Sequence, residues 1–265
     1  MTTNSESSAP PTANSTANVC LVVLAAGKGT RMNSELPKVL CPVVDRPMIH
    51  FVLDAADKTG IQKKIAVVGY EADLVRKELQ TRDDDSLTFA EQTEQLGTGH
   101  AVQMCRDQLA DHDGLTLVIA GDSPLIQSSS LIKLIEHFQA TRPALLLGTL
   151  TKDDPTGLGR IVRDDSGQFT GIVEHKDATD EQREIREVNM STYLFNNADL
   201  LDSLSKLSND NAQGEYYLTD CARLLHEAGR PVEALPVLKD CESLSINNPE
   251  ELQVVDQTMR AMGYA

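Results

Sequence analysis

The sequence predicts an α/β fold, a mostly parallel β-sheet flanked by helices, on three observations. A continuous β-branched run at residues 19–24 suits a strand buried on both faces of a parallel sheet. From there to residue 150, strand-like runs alternate with helix-like runs of about a dozen residues, the rhythm of βαβ units. The first strand also feeds directly into a glycine-rich turn edged by cations, residues 27–31.

The elements follow in order. In residues 1–18 every position except Met1 and Glu6 is Ser, Thr, Asn, Pro or Ala. Such a segment cannot offset the entropy of ordering, so a disordered tail is expected. After the first strand, Pro47 opens a helix that closes at Gly60. Strand 64–69, helix 73–79, strand 87–90, helix 99–109, strand 115–120, helix 131–139 and strand 144–150 come next. Right-handed crossovers then bring the strand C-termini, and the loops after them, to one edge of a Rossmann-like sheet.

Past residue 150 the rhythm changes. Strands 160–164 and 168–175 flank a turn at 165–167, and a third strand follows at 187–195. An antiparallel lobe, about residues 151–195, is therefore expected beside the main sheet. Helices 198–207 and 218–228 and strand 232–237 return the chain to the main body, which spans 19–248. Residues 249–265 are expected to hold a C-terminal helix, at 250–262.

Composition excludes several classes. Lys and Arg number 24 against 40 Asp and Glu, a net charge of −16, which disfavours a nucleic-acid backbone. Aromatics are 4% with no Trp, leaving few platforms for stacked bases. Five cysteines without a C-x-x-C predict reduced thiols rather than disulfides or structural zinc. The longest apolar run, residues 19–26, is far below the ~20 residues of a membrane span. No signal-peptide pattern opens the chain, so a soluble cytoplasmic protein with no membrane partner is expected.

Charge singles out the first loop. Between Gly27 and Lys38 stand three cations (Lys28, Arg31, Lys38) and one anion (Glu35), net positive within an acidic chain. Gly27 and Gly29 are expected to let the backbone turn with positive φ and bring its N–H groups to a ligand. A turn of this kind after the first strand of an α/β sheet can cradle phosphates. It also fits a simple tight strand–helix turn. It is not a Walker A loop, because position 22 is Val and Lys28 is followed by Gly29. Nor is it a dinucleotide fingerprint, because Met32 stands where the third glycine would be.

Further segments carry a resemblance. Residues 24–31 (LAAGKGTR) with Pro37-Lys38 match the signature of the sugar-1-phosphate nucleotidylyltransferases. Residues 94–100 (EQLGTGH), 121–125 (GDSPL), 153–161 (DDPTGLGRI), 172–179 (IVEHKDAT) and 211–220 (NAQGEYYLTD) extend it. In these segments the chain resembles the uridyltransferase half of the bifunctional N-acetylglucosamine-1-phosphate uridyltransferase/glucosamine-1-phosphate acetyltransferases. The likeness runs from Val19 to about Asn248.

The resemblance implies a nucleotide-diphospho-sugar transferase fold with a sugar-binding lobe. It implies UTP and a sugar 1-phosphate as substrates and Mg²⁺ as cofactor, in UDP-N-acetylglucosamine biosynthesis for the cell wall. By that resemblance Arg31 holds the triphosphate and Lys38 stabilises charge on the α-phosphate, both catalytic. Leu24, Ala25, Ala26, Gly27, Lys38, Gln92, Gly97 and Thr98 bind the nucleotide. Gly159, Glu174 and Asn189 bind the sugar, and Asp122 and Asn247 hold the metal. These assignments make chemical sense. Asp122 follows a strand at the ligand-bearing edge, a side-chain amide suits an imide edge such as uracil, and nucleotidyl transfer needs charge neutralisation more than a nucleophile. His100 and His175 are expected to be structural or to support a ligand-contacting side chain from behind, since the reaction requires neither.

Departures keep the substrate open. Met190-Ser191 stands where relatives carry Thr-Gly, and Ser245 and Pro249 flank Asn247-Asn248 where Gly and Arg are common. The left-handed β-helix that acetylates and trimerises in the bifunctional family is not found in these residues, so neither property is expected. Three readings remain: synthesis of UDP-N-acetylglucosamine, the same chemistry on another sugar 1-phosphate, and a non-catalytic nucleotide-sugar-binding protein.

Overall fold

The computed structural model describes residues 18–211 and 213–264. The tail assigned to residues 1–18 lies outside the described residues except for Asn18. The chain begins with β1 (Val19–Ala25), followed by 3₁₀ turns at Thr30–Met32 and Lys38–Leu40. A two-residue ladder, β2 (Pro42–Val43) with β3 (Arg46–Pro47), leads into α1 (Met48–Asp57). Then come β4 (Lys63–Val68), α2 (Ala72–Gln80), β5 (Leu87–Glu91), α3 (Thr98–Gln103), α4 (Arg106–Leu109), β6 (Leu115–Ala120), α5 (Ser128–Thr141) and β7 (Leu145–Thr151). The second half holds β8 (Arg160–Arg163), β9 (Phe169–Val173), α6 (Asp180–Arg183), β10 (Glu187–Asn196), α7 (Asn197–Leu204), α8 (Asp220–Glu227), β11 (Val232–Pro236) and α9 (Pro249–Ala261).

The main sheet runs in the order β11-β7-β10-β6-β1-β4-β5. β1 lies at its heart, parallel to β4 on one side and β6 on the other. Its side chains alternate between two cores, as strand geometry requires. Leu21, Val23 and Ala25 pack with Ile49, Leu53, Leu131 and Ile135, whereas Cys20 and Val22 pack with Val102, Leu109, Phe195 and Leu225. Each fully buried Leu, Ile or Val contributes roughly 1.5–3 kcal/mol, so two apolar layers hold β1 rigid. That rigidity fixes the loop following Ala25.

The third strand expected in the antiparallel lobe has a second task. β10 meets β8 only at Val188–Arg160, while it runs antiparallel to β7 from Glu187 onward and to β6 at residues 193–196. Its residues 193–195 are buried on both faces, and that run of apolar positions is a central-strand pattern. The helix expected at 99–109 is two, because Cys105 (φ −86°, ψ −1°) sits in a turn between α3 and α4.

The lobe's hairpin is set by local chemistry. Asp164 Oδ1 accepts from the backbone N–H of Ser166 (2.9 Å) and Gln168 (3.0 Å), closing the turn at Gly167. At the other end of the molecule, α9 starts with Asn248 accepting from Glu251 N–H and Pro249 in the first turn. Val255 and Met259 of α9 pack with Met32, Cys41, Met48 and Ile246, which ties residues 245–248 to the first loop. All five cysteines are free thiols, and among the described residues no helix is long and apolar enough to cross a membrane.

Candidate active site

A cavity of about 460 Å³ opens at the C-terminal edge of β1 and β6, where the crossover rule puts ligand-bearing loops. Leu24, Ala26, Gly27, Gly29, Thr30, Arg31 and Lys38 line it from the first loop. Gln92, Gln95, Gly97 and Thr98 line it from the segment after β5, with Asp122 after β6 and Glu215 from a later loop.

The two glycines of the loop do different work. Gly29 has φ +66°, and a Cβ there would lie 2.6 Å from Lys38 Cβ, so its bareness lets the lysine stem lie across the turn. Gly27 does not take positive φ, contrary to the sequence expectation. A Cβ at Gly27 would meet nothing within 4 Å, so it leaves backbone open towards the cavity.

Four side chains from three chain segments meet at one end of the cavity: Arg31 and Lys38 from the first loop and Asp122 after β6 line it, and Asn247 joins them by hydrogen bonds. Lys38 Nζ donates to Asp122 Oδ2 and, at 2.8 Å, to Asn247 Oδ1. Arg31 Nη2 reaches the same Asn247 oxygen at 3.4 Å. Asn247 is itself oriented, because its Nδ2 donates to Glu251 Oε2 (3.0 Å) and Ser245 Oγ (3.2 Å) while its backbone N–H donates to Glu251 (2.7 Å). Glu251 was not foreseen. In the sequence it reads as an N-terminal helix acid, and its side chain turns back beyond the cap residue.

The carboxylate of Asp122 and the amide oxygen of Asn247 thus face a common cation, here the Lys38 ammonium. An all-oxygen pair of that kind, with room for water and phosphate oxygens, suits Mg²⁺. Among the described residues no group of three or more His, Cys, Asp or Glu could hold a metal by itself, so water or substrate oxygens would complete the coordination of an ion held by Asp122 and Asn247.

At the other end, Gln92 is buried, its Nε2 donating to Gly97 O at 3.0 Å and lying 3.1 Å from His100 Nδ1. Gln95, also unforeseen although it lies within the 94–100 segment, donates to Ala26 O at 3.1 Å. Gly97 has φ +101°, and a Cβ there would lie 2.5 Å from Tyr216 O. Tyr216 N–H donates to Leu96 O and Gly99 N–H to Tyr216 O, which brings Glu215 to the cavity wall. Lys28 places its ammonium 5.0 Å from the centre of the Tyr70 ring, a cation–π contact. Ala25 does not line the cavity: only 1% exposed, its side chain lies in the core beneath the loop.

Gly159, Glu174 and Asn189 form a separate cluster on the lobe, away from the residues that line the cavity. Glu174 Oε1 lies 3.4 Å from where a Gly159 Cβ would be, and Asn189 N–H donates to Gly159 O at 2.9 Å. Asn189 Nδ2 donates to the Tyr193 hydroxyl at 2.9 Å. Desolvation, then the nearby Asp177 carboxylate, raises the Glu174 carboxyl above its ordinary range. Burial pushes Tyr193 up to about 12. Residues 215–217 bridge the two clusters, since Glu215 faces the cavity and Tyr217 lies within the field of Glu174.

Comparison with known proteins places this geometry. Residues 20–239 match the nucleotidyl transferase family. The chain is 44% identical over 239 residues to the bifunctional protein GlmU of Exiguobacterium sp., covering 90% of this chain and 52% of that protein. It is 45% identical over 244 residues to the bifunctional protein GlmU of Lactococcus lactis subsp. lactis, covering 92% and 52%. The chain thus spans about half the length of these curated relatives. Among solved structures, UDP-glucose pyrophosphorylase complexed with UDP-glucose superposes with a TM-score of 0.75 at 18% identity, covering 93% of this chain and 99% of that one, a likeness of fold. The match over residues 20–239, most of the chain, makes this protein a member of the nucleotidyl transferase family.

Proposed function

We propose that the protein joins UTP and N-acetylglucosamine 1-phosphate to give UDP-N-acetylglucosamine and pyrophosphate. The observation that carries this reading is the convergence of Arg31, Lys38 and Asp122 at one end of a cavity, with Asn247 bonded to both cations. An oxygen of the sugar phosphate attacks the α-phosphorus, the bond from that phosphorus to the bridging oxygen breaks, and pyrophosphate leaves with the electron pair. No covalent help from the protein is needed; positioning and charge neutralisation suffice.

Each residue has a part. Arg31 grips the triphosphate through its fork of donors, and Lys38, free to exchange Asp122 for phosphate, balances charge growing at the α-phosphate. Asp122 and Asn247 Oδ1 would hold Mg²⁺, which when bound neutralises phosphate charge and orients the phosphate oxygens. Gln92 and the backbone of Gly97 and Thr98 take the base, with Leu24, Ala26 and Gly27 beneath it. On the lobe, Glu174 accepts from sugar hydroxyls, and Gly159 and Asn189 shape the pocket floor. The 43–45% identity to proteins named bifunctional GlmU supports UDP-N-acetylglucosamine as the product.

A second sugar phosphate is favoured by one feature. Ser191 has φ +52° at a bulge between Asn189 and Thr192, a conformation that Gly takes readily, so the difference from a Thr-Gly floor lies in the side chains that Met190 and Ser191 add beside Asn189. A panel of nucleoside triphosphates and sugar 1-phosphates with Mg²⁺, read by pyrophosphate release, decides. The expected result is turnover with UTP and N-acetylglucosamine 1-phosphate. Turnover with glucose 1-phosphate alone supports the second sugar, and tight UDP-sugar binding without pyrophosphate release contradicts catalysis.

A further inference from the structure

The transfer reaction gives His100 no task, yet its ring touches Gln92, the side chain proposed above to take the base. Gln92 is 4% exposed, and its amide has two neighbours, Gly97 O at 3.0 Å and His100 Nδ1 at 3.1 Å. A main-chain carbonyl only accepts, so the Gln92 atom facing Gly97 is the NH₂ group. The same NH₂ then faces Nδ1, which must accept and therefore carries no proton; the ring is the neutral Nε2–H tautomer. Both amide protons are spent in this way. Gln92 Oε1 is left as its one free polar atom, and among the described residues no donor meets it. The Tyr216 ring, 6.2 Å away and tilted by 31°, flanks the imidazole.

An unpinned side-chain amide can rotate by half a turn and exchange its acceptor for its donor. It would then serve the N3–H of an imide base or the bare N3 of cytosine with equal ease. A pinned amide cannot.

We infer that His100 is a positioning residue for base selection: by holding the Gln92 NH₂ between Nδ1 and Gly97 O, it keeps Oε1 as the acceptor offered to an imide N–H and sets it against the cytosine N3 lone pair. This rests on the nucleotide reading proposed above and adds the device by which the base would be chosen. Residues that bind the phosphates are untouched by it.

The test is equilibrium binding of UTP and of CTP, with Mg²⁺, to wild-type protein and to His100→Ala and His100→Asn, with pyrophosphate release measured in parallel. Wild type should prefer UTP, and His100→Ala should shrink the UTP:CTP ratio by about 10-fold or more, the scale of losing one discriminating hydrogen bond. His100→Asn, which offers a carbonyl oxygen near the place of Nδ1, should keep the ratio within about 3-fold of wild type. Nitrogen NMR of the wild-type ring should show an unprotonated Nδ1. A protonated Nδ1, or a His100→Ala protein that weakens both nucleotides equally, overturns the proposal even if turnover is normal. If the ratio responds as expected but no pyrophosphate appears with any sugar phosphate, base selection stands and the proposed reaction falls.

Discussion

The two ends of this molecule handle polar groups in opposite ways. At the cavity, Arg31, Lys38, Asp122 and Asn247 come from three separate segments and satisfy one another beside an opening wide enough for a ligand. On the lobe, Glu174 carries a raised pKa beside Asp177, while Asn189 is bonded to a buried Tyr193. Under the proposed function, the first arrangement would meet a polyanion. The second leaves a carboxylate under-compensated and surrounds it with groups already in use, and under the same proposal it would take sugar hydroxyls as donors. Phosphate chemistry should therefore fail sharply when single charges are removed, whereas the sugar end should respond by degrees and with a pH signature.

The largest break is expected at the charged end. Asp122→Ala should lower turnover by about 10²-fold or more with little change in fold, checked by pyrophosphate release and circular dichroism. Gly29→Ala comes next. Its φ of +66° and the 2.6 Å approach of Lys38 Cβ force the lysine stem to move, so turnover should drop about 10-fold or more while Asp122 remains in place.

At the sugar end, Glu174→Gln should raise the KM for sugar 1-phosphate by about 3- to 10-fold and leave that for UTP near wild type. The pH dependence has a definite sign. Because the folded pKa of Glu174 is raised, the carboxylate gains its proton at a higher pH than an ordinary glutamate, so sugar affinity should weaken earlier on acidification. For stability the same shift acts in reverse. The folded state binds this proton more tightly than the unfolded state, so stability falls as pH rises from the unfolded pKa through the folded one. Glu174→Gln removes that loss, and its Tm at neutral pH should equal or exceed wild type.

The smallest effect sharpens the comparison on the backbone. Ser191 holds φ +52° at the bulge of β10, where a side chain is disfavoured. Ser191→Gly should stabilise the protein by up to about 1 kcal/mol, a Tm rise of about 2 °C in thermal melts.

How much of this was legible in the sequence follows the same divide. The first loop is written in local strings, a strand followed by glycines and cations, and strand-edge topology is what brings Arg31, Lys38 and Asp122 to line one cavity. Ala25 was misplaced relative to the cavity because a run of small residues does not show which one turns inward. Glu251 was invisible because its partner precedes its own helix. The second role of β10 was hidden because an antiparallel strand inserted between β6 and β7 gives the same apolar run as a parallel one. Gly27 was credited with positive φ because sequence cannot separate a glycine needed for its dihedral from one needed for its bareness.

The most direct measurement is a structure of the protein with UTP and Mg²⁺ bound. The triphosphate should lie in the cavity below Gly27, with the α-phosphate within hydrogen-bond reach of Lys38 Nζ, Arg31 on the outer phosphates, and the metal on Asp122. A nucleotide seated elsewhere, or phosphates turned away from Asp122 with Lys38 still locked in its ion pair, would contradict the proposed function.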